Sequence, residues 1–254
     1  MANTAVEGVD LLLDIGNSRV KWRAGDQEDL EGFPAPGGEL ATICEPLWGR
    51  LPISRVALSN VRTDDLAERV HAWAAARWGL EVVRIRATAR AAGVRCGYAE
   101  PERLGADRWA AIVAAHRRAG GAACAVCCGT ATTVDMIDHR GHHLGGLILP
   151  GQSLMYDAFF RRTGLPSAPV SVADFVPGLG ASTHTAVARG AHVATLGAIE
   201  RACRLHRTRW PQAPVYLCGG AAPAVLAGLD MVAELVPDLV FQGVAELLEW
   251  QCAR

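Results

Sequence analysis

The sequence is almost without lysine. Lys21 is the single one, and every other of the 25 basic residues is arginine, balanced by 26 acids to a formal net charge of −1. No basic run stands out, so the electrostatic footprint of a nucleic-acid binder is lacking and no nucleic-acid partner is expected. No apolar stretch approaches the roughly 20 residues that a membrane helix needs, so no membrane association is expected. The opening MANTAVEGVD has no cationic segment followed by an apolar one, and the cytoplasm is the expected location. Eight cysteines are present, yet no second pair at zinc-like spacing follows Cys124 and Cys127. Three residues apart on a strand, those two thiols point to opposite faces and are poorly placed to share a metal. In a reducing compartment the cysteines are expected to be free and mostly buried.

What is present is ordinary globular composition, half hydrophobic and a fifth charged, over 254 residues. That length suits one large or two small domains. VDLLLD (9–14) is an apolar run ending in an acid, followed by the turn-prone Gly16-Asn17-Ser18 and an alternating RVKWR. The pattern predicts strand, tight turn, strand. The Pro/Gly-rich stretch from Gly32 to Gly38 reads as a loop. RVALS (55–59) predicts a strand, then a helix from near Thr63 with Leu66, Val70 and Trp73 on one face and Gly79 as its stop. EVVRI (81–85) is a further strand, and Gly105 to Arg118 has helical spacing.

The second half opens in the same way. AACAVCC and ATTVDMID predict strands around Gly129-Thr130, and HHLGGLILP predicts a third. Helices are expected over about 153–162 and 182–207, after Gly219-Gly220, and after Pro237. LLLDIGNS therefore parallels AVCCGTAT, a weak internal repeat that predicts two similar α/β halves.

Four elements could carry chemistry. Asp14-Ile15-Gly16-Asn17-Ser18 with Lys21 offers backbone N–H groups to a phosphate, a carboxylate for magnesium, and a cation for phosphate oxygens. The plain alternative is a hairpin turn with polar caps. Gly129-Thr130-Ala131-Thr132-Thr133 is a second small-residue turn, or a β-rich run of ordinary threonines. Gly219-Gly220 would let backbone lie against a flat ligand such as adenine, or is a common strand-to-helix turn. In Leu104-Gly105-Ala106-Asp107-Arg108-Trp109, an acid beside an arginine can pair a general base with an anion anchor. Alternatively Asp107 simply favours the positive end of a helix.

In order and spacing the set resembles the type III pantothenate kinases, within the actin, sugar-kinase and Hsp70 ATPase superfamily. The resemblance rests on LLLDIGNSRVKW, Tyr98 with Pro101 and LGADRWAA, GTATTVD, HLGGLILPG, LGAST (179–183) and LCGG, and spans residues 11 to about 243. It implies two ribonuclease-H-like domains facing across a nucleotide cleft, 1–118 and 119–254. It implies ATP-dependent phosphorylation of pantothenate, the first step of coenzyme A biosynthesis, with Asp107 as base. Asp14, Gly16, Asn17, Ser18, Lys21, Gly129, Thr130, Gly219 and Gly220 would bind ATP, with Asp14 on magnesium directly or through water. Tyr98, Gly105, Ala106, Asp107, Arg108 and Thr183 would hold pantothenate. A homodimer and a monovalent cation, potassium or ammonium, are implied as well.

One departure matters. The family's second phosphate turn begins with an acid that helps bind the monovalent cation, and here that position is Cys127, a neutral thiol poorly suited to a hard cation. The alternative that this favours is a non-catalytic, nucleotide-binding regulatory relative of the same family.

Overall fold

The protein is described by a computed structural model covering residues 8–17, 19–25, 31–34, 40–62 and 64–254. Ser18, Thr63 and positions 35–38 of the expected loop lie outside the described residues.

The first half contains β1 (Val9–Ile15), β2 (Arg19–Ala24), β3 (Glu31–Pro34), α1 (Ala41–Trp48), β4 (Ile53–Asn60), α2 (Asp64–Trp78) and β5 (Val82–Ile85). A small hairpin follows, β6 (Arg90–Ala91) with β7 (Val94–Arg95), and then α3 (Ala106–Ala119). The second half has β8 (Ala123–Cys128), β9 (Ala131–Ile137), β10 (His143–Pro150), α4 (Gln152–Thr163) and α5 (Thr183–Arg207). It ends with β11 (Val215–Cys218), α6 (Ala222–Gly228), β12 (Glu234–Leu235) and α7 (Leu239–Cys252).

The two large sheets share one topology. The first runs β3-β2-β1-β4-β5 and the second β10-β9-β8-β11-β12. In each, three strands form an antiparallel meander and the last two run parallel to the first strand. This is the duplicated pattern of two ribonuclease-H-like halves, and it turns the weak internal repeat into a structural one.

One expectation fails: Gly32, Phe33 and Pro34 are strand rather than loop. They pair with β2, Phe33 opposite Val20. Glycine and proline are tolerated there because β3 is an edge strand. Helix α1 gave no sequence signal, since its eight residues include Pro46. It is held by packing: Trp48 is fully buried and meets Trp22 and Trp73 edge-on at about 6 Å.

Both faces of the central strands are covered. Along β1, Leu11, Leu13 and Ile15 pack under α1 and α2, while Leu12 faces the other way. It joins a central layer built by Trp109 and Ile112 of α3 with Phe241 and Leu247 of α7, which also takes Ala125 and Tyr216 from the second sheet. Helices α3 and α7 are thus sandwiched between the sheets, each large side chain contributing about 1.5–3 kcal/mol by burial. Strand β8 alternates likewise: Cys124, Val126 and Cys128 face α5 and α6, whereas Cys127 faces the central layer. Cys124 and Cys127 are therefore on opposite faces, as their spacing predicts. Among the described residues no group of three or more His, Cys, Asp or Glu side chains could jointly hold a metal, and no helix is long and apolar enough to cross a membrane.

Candidate active site

Asp14 sits near the end of β1, opposite Lys21 on β2 and Ser59 on β4. The Ser59 hydroxyl donates to Asp14 Oδ1 at 2.7 Å. Burial raises the Asp14 carboxyl above the usual carboxylate range, against the opposing pull of Ser59 and the Lys21 charge. A desolvated carboxylate with so little compensation fits a bound cation. Magnesium would take the rest of its oxygen shell from water and phosphate. The turn that follows is closed by Gly16 N–H donating to Arg19 O at 3.0 Å. Arg62, two residues past β4, donates to the Asn17 carbonyl at 2.7 Å and so braces the turn from the neighbouring strand.

Asp107 lies in the first turn of α3, where Gly105 forms the N-cap. Its pKa is pushed up to about 6, first by burial and then by the charge of Asp14. The fold thus brings the two carboxylates within electrostatic reach, although they are 93 positions apart in sequence. Asp107 Oδ1 accepts from the Arg108 backbone N–H at 2.7 Å, and a side chain at Gly105 would meet the same oxygen at 2.7 Å. A cavity of about 300 Å³ opens beside this helix start, walled by Asn60, Arg62, Arg86, Arg103, Gly105 and Ala106.

Arg108 is not the free anion anchor that the motif suggested. Its guanidinium is buried and forked onto Asp135 of β9, Nε to Oδ2 at 2.9 Å and Nη2 to Oδ1 at 2.6 Å. Its third contact, from Nη1, is to the Tyr98 hydroxyl at 2.9 Å. Removing one partner of such a buried pair costs about 3–5 kcal/mol. Arg108 thus links Tyr98, through its side chain, to Asp107, through its backbone. Thr183 does not join them. It is the exposed first residue of α5, beside the Ser182–Thr185 capping box, and no hydrogen bond links it to the other three.

The second turn lies between β8 and β9. Gly129 N–H donates to Ala131 O, and Thr130 O accepts from Gly151 N–H. Gly219 crosses it closely: its φ is +97°, and a Cβ there would meet Cys128 O at 2.4 Å. Gly219 is thus needed by backbone approach and left-handed geometry, whereas Gly220 faces open space. Cys127 stands in register with Cys218 on β11, their sulfurs 3.2 Å apart. The Cys218 contact and burial raise the Cys127 thiol well above its ordinary value, so it stays protonated and neutral.

The family model for Type III pantothenate kinase matches residues 10–205. A curated Type III pantothenate kinase from Burkholderia pseudomallei (strain K96243) is 37% identical, over 94% of this chain and 98% of its own. The chain belongs to the type III pantothenate kinase family. Its counterpart from Herminiimonas arsenicoxydans is 36% identical over 92% and 95% of the two chains. Solved structures support the fold alone. A protein described as a Baf family transcriptional activator from Campylobacter jejuni superposes with a TM-score of 0.57 at 18% identity, over 96% of this chain and all of the other. A protein described as a 2-dehydro-3-deoxygalactonokinase from Sinorhizobium meliloti gives 0.54 at 13%, over 94% and 96%. The matched family region contains every predicted site residue except Gly219 and Gly220. It also contains Ser59, Arg62 and Asp135, which sequence reasoning passed over because each acts on a partner from another element.

Proposed function

We propose that this chain transfers the γ-phosphoryl group of ATP to the primary hydroxyl of pantothenate, the first step of coenzyme A biosynthesis. The observation that carries the reading is the pairing of Asp14 and Asp107, two carboxylates with distinct surroundings at one site. Phosphoryl transfer asks a protein mainly for positioning and charge neutralisation. The turns at Gly16-Asn17 and Gly129-Thr130 would cradle the phosphates, with Lys21 nearby as a cation. Ser18 would add its hydroxyl, and Gly220, open above its surroundings, would leave room for the adenosine. Asp14 would hold magnesium, which supplies neutralisation of phosphate charge when bound.

Asp107 acts as the base. With a pKa of about 6 it is mostly ionised at neutral pH, yet basic enough to accept a proton. The acceptor oxygen bonds to the γ-phosphorus, the bridging bond to the β-phosphate oxygen breaks, and ADP leaves. The hydroxyl proton passes to Asp107. Tyr98, Gly105, Ala106 and Arg108 flank that oxygen. The test is Asp107→Asn in an ATP- and pantothenate-dependent assay. Turnover should fall by about 10²–10⁴ with nucleotide binding kept; near-normal turnover removes the base assignment.

Four finer points belong to the same reading. The division at 118/119 assigns the first sheet, Asp14 and Asp107 to one domain and the second turn to the other. A monovalent cation finds no acid at Cys127, whose neutral thiol pair does not fit potassium or ammonium, so turnover is proposed to proceed without one. A homodimer is supported by β10, an edge strand with exposed Leu144, Leu147 and Ile148, and by exposed Val193 on α5. Thr183, which has no hydrogen bond to Tyr98, Asp107 or Arg108 within one chain, is proposed to reach the acceptor from a second copy. Action in the cytoplasm belongs to the same proposal.

A further inference from the structure

Asp135 has no part in the phosphoryl transfer just described, yet it is 1% exposed and carries a full set of partners. Arg108 occupies both of its oxygens. His143 Nε2 meets Oδ1 at 2.9 Å, and since an ionised carboxylate only accepts, that nitrogen carries the hydrogen. The β10 backbone closes the other side: a Cβ at Gly146 would lie 2.3 Å from Asp135 Oδ1. Behind the carboxylate, the His143 ring stacks on Tyr98 with centroids 6.0 Å apart and planes 24° from parallel. Tyr98 in turn accepts from Arg108. The four side chains form a closed ring, with Arg108 one residue from the base and His143 Nδ1 buried without a partner.

Buried ion pairs are weak contributors to net stability, because desolvation offsets their attraction. A ring this complete is better explained by geometry. Three of the five guanidinium N–H donors are fixed, and with them the side-chain plane and the Tyr98 hydroxyl. We propose that Asp135, backed by His143, is the positioning residue of the acceptor side, holding Arg108 and Tyr98 as one rigid polar face beside Asp107. The inference rests on the reading that Tyr98 and Arg108 hold the acceptor alcohol. It makes Asp135 and His143 determinants of acceptor binding that leave the nucleotide side untouched.

The test uses the full chain with Asp135→Asn, His143→Gln and Tyr98→Phe. The first readout is the Arg108 Nε–H signal in ¹⁵N-labelled protein, assigned by its loss in Arg108→Lys. It should exchange slowly in the parent protein and be lost to fast exchange in Asp135→Asn. The second is steady-state kinetics with each substrate varied. Asp135→Asn should raise KM for pantothenate about tenfold or more and leave KM for ATP within about twofold. Adding Tyr98→Phe should then cost little further, because the two act through one unit. His143→Gln, which keeps the Arg108 fork, should raise the pantothenate KM by a smaller factor, and it carries the kinetic test if Asp135→Asn does not fold. A parallel rise in both KM values, additive Tyr98 and Asp135 effects, or an Arg108 signal unchanged in Asp135→Asn would overturn the proposal. If the parent protein phosphorylates no pantothenate, the proposed function falls, and the Arg108 signal alone decides whether Asp135 holds this face.

Discussion

The two halves share a backbone plan but not a chemistry. In the first sheet the residue near the end of the central strand is Asp14, and its in-register neighbour on the parallel strand is Ser59. In the second sheet the matching residue is Cys127, and its in-register neighbour is Cys218. One pair is a desolvated carboxylate with a hydroxyl donor; the other is two thiols in contact. Duplicated topology has therefore delivered two turns at matching places in the two sheets, and only the strand before the first brings a carboxylate. The groups proposed to handle charge, Asp14, Lys21 and Asp107, all belong to the first half, while the second turn offers backbone and hydroxyl groups.

The strongest way to probe that asymmetry is to remove charge from the first half. Asp107→Asn should lower kcat by about 10²–10⁴, and Asp14→Asn should also lower it by removing the proposed magnesium ligand, whereas Cys127→Ser should leave it nearly unchanged. The pH profile sharpens this. Transfer needs ionised Asp107, so kcat/KM for pantothenate should fall as pH drops through about 6, roughly tenfold per unit below it.

Backbone differences give the next effect. Gly219→Ala would force a left-handed backbone and a clash with Cys128, costing about 1–3 kcal/mol and lowering Tm, while Gly220→Ala should be near neutral. Comparing the two by calorimetry separates close approach from mere turn composition. The smallest effect concerns the thiol itself. Cys127→Asp would place a carboxylate near Asp107 and Asp135. It should make turnover respond modestly to potassium, because an acid there supplies the oxygen ligand that a hard cation prefers.

Much of this layout was legible in the sequence because it is local. Strand–turn–strand at LLLDIGNSRVKW, the alternating faces of AACAVCC and the helix start at LGADRW each follow from periodicity and turn chemistry. What was not legible depends on register between distant segments. The Ser59 donor reaches Asp14 only because β4 runs parallel to β1 in that register, and the same holds for Cys218 and Cys127. Arg108 looked like a free cation since nothing near it in sequence predicts Asp135, 27 residues on, beyond the end of α3 and the β8–β9 hairpin turn. Helix α1 was hidden by Pro46, and β3 by glycine and proline that an edge strand accepts.

The most direct test is ATP-dependent phosphorylation of pantothenate by the purified protein, with and without potassium or ammonium. Turnover is expected in both conditions, equal within about twofold, because the second turn has no acid for a cation to neutralise. Strict dependence on the cation would contradict the assignment of charge to the first half. No turnover from folded protein that binds ATP would contradict the kinase reading itself and favour a regulatory relative.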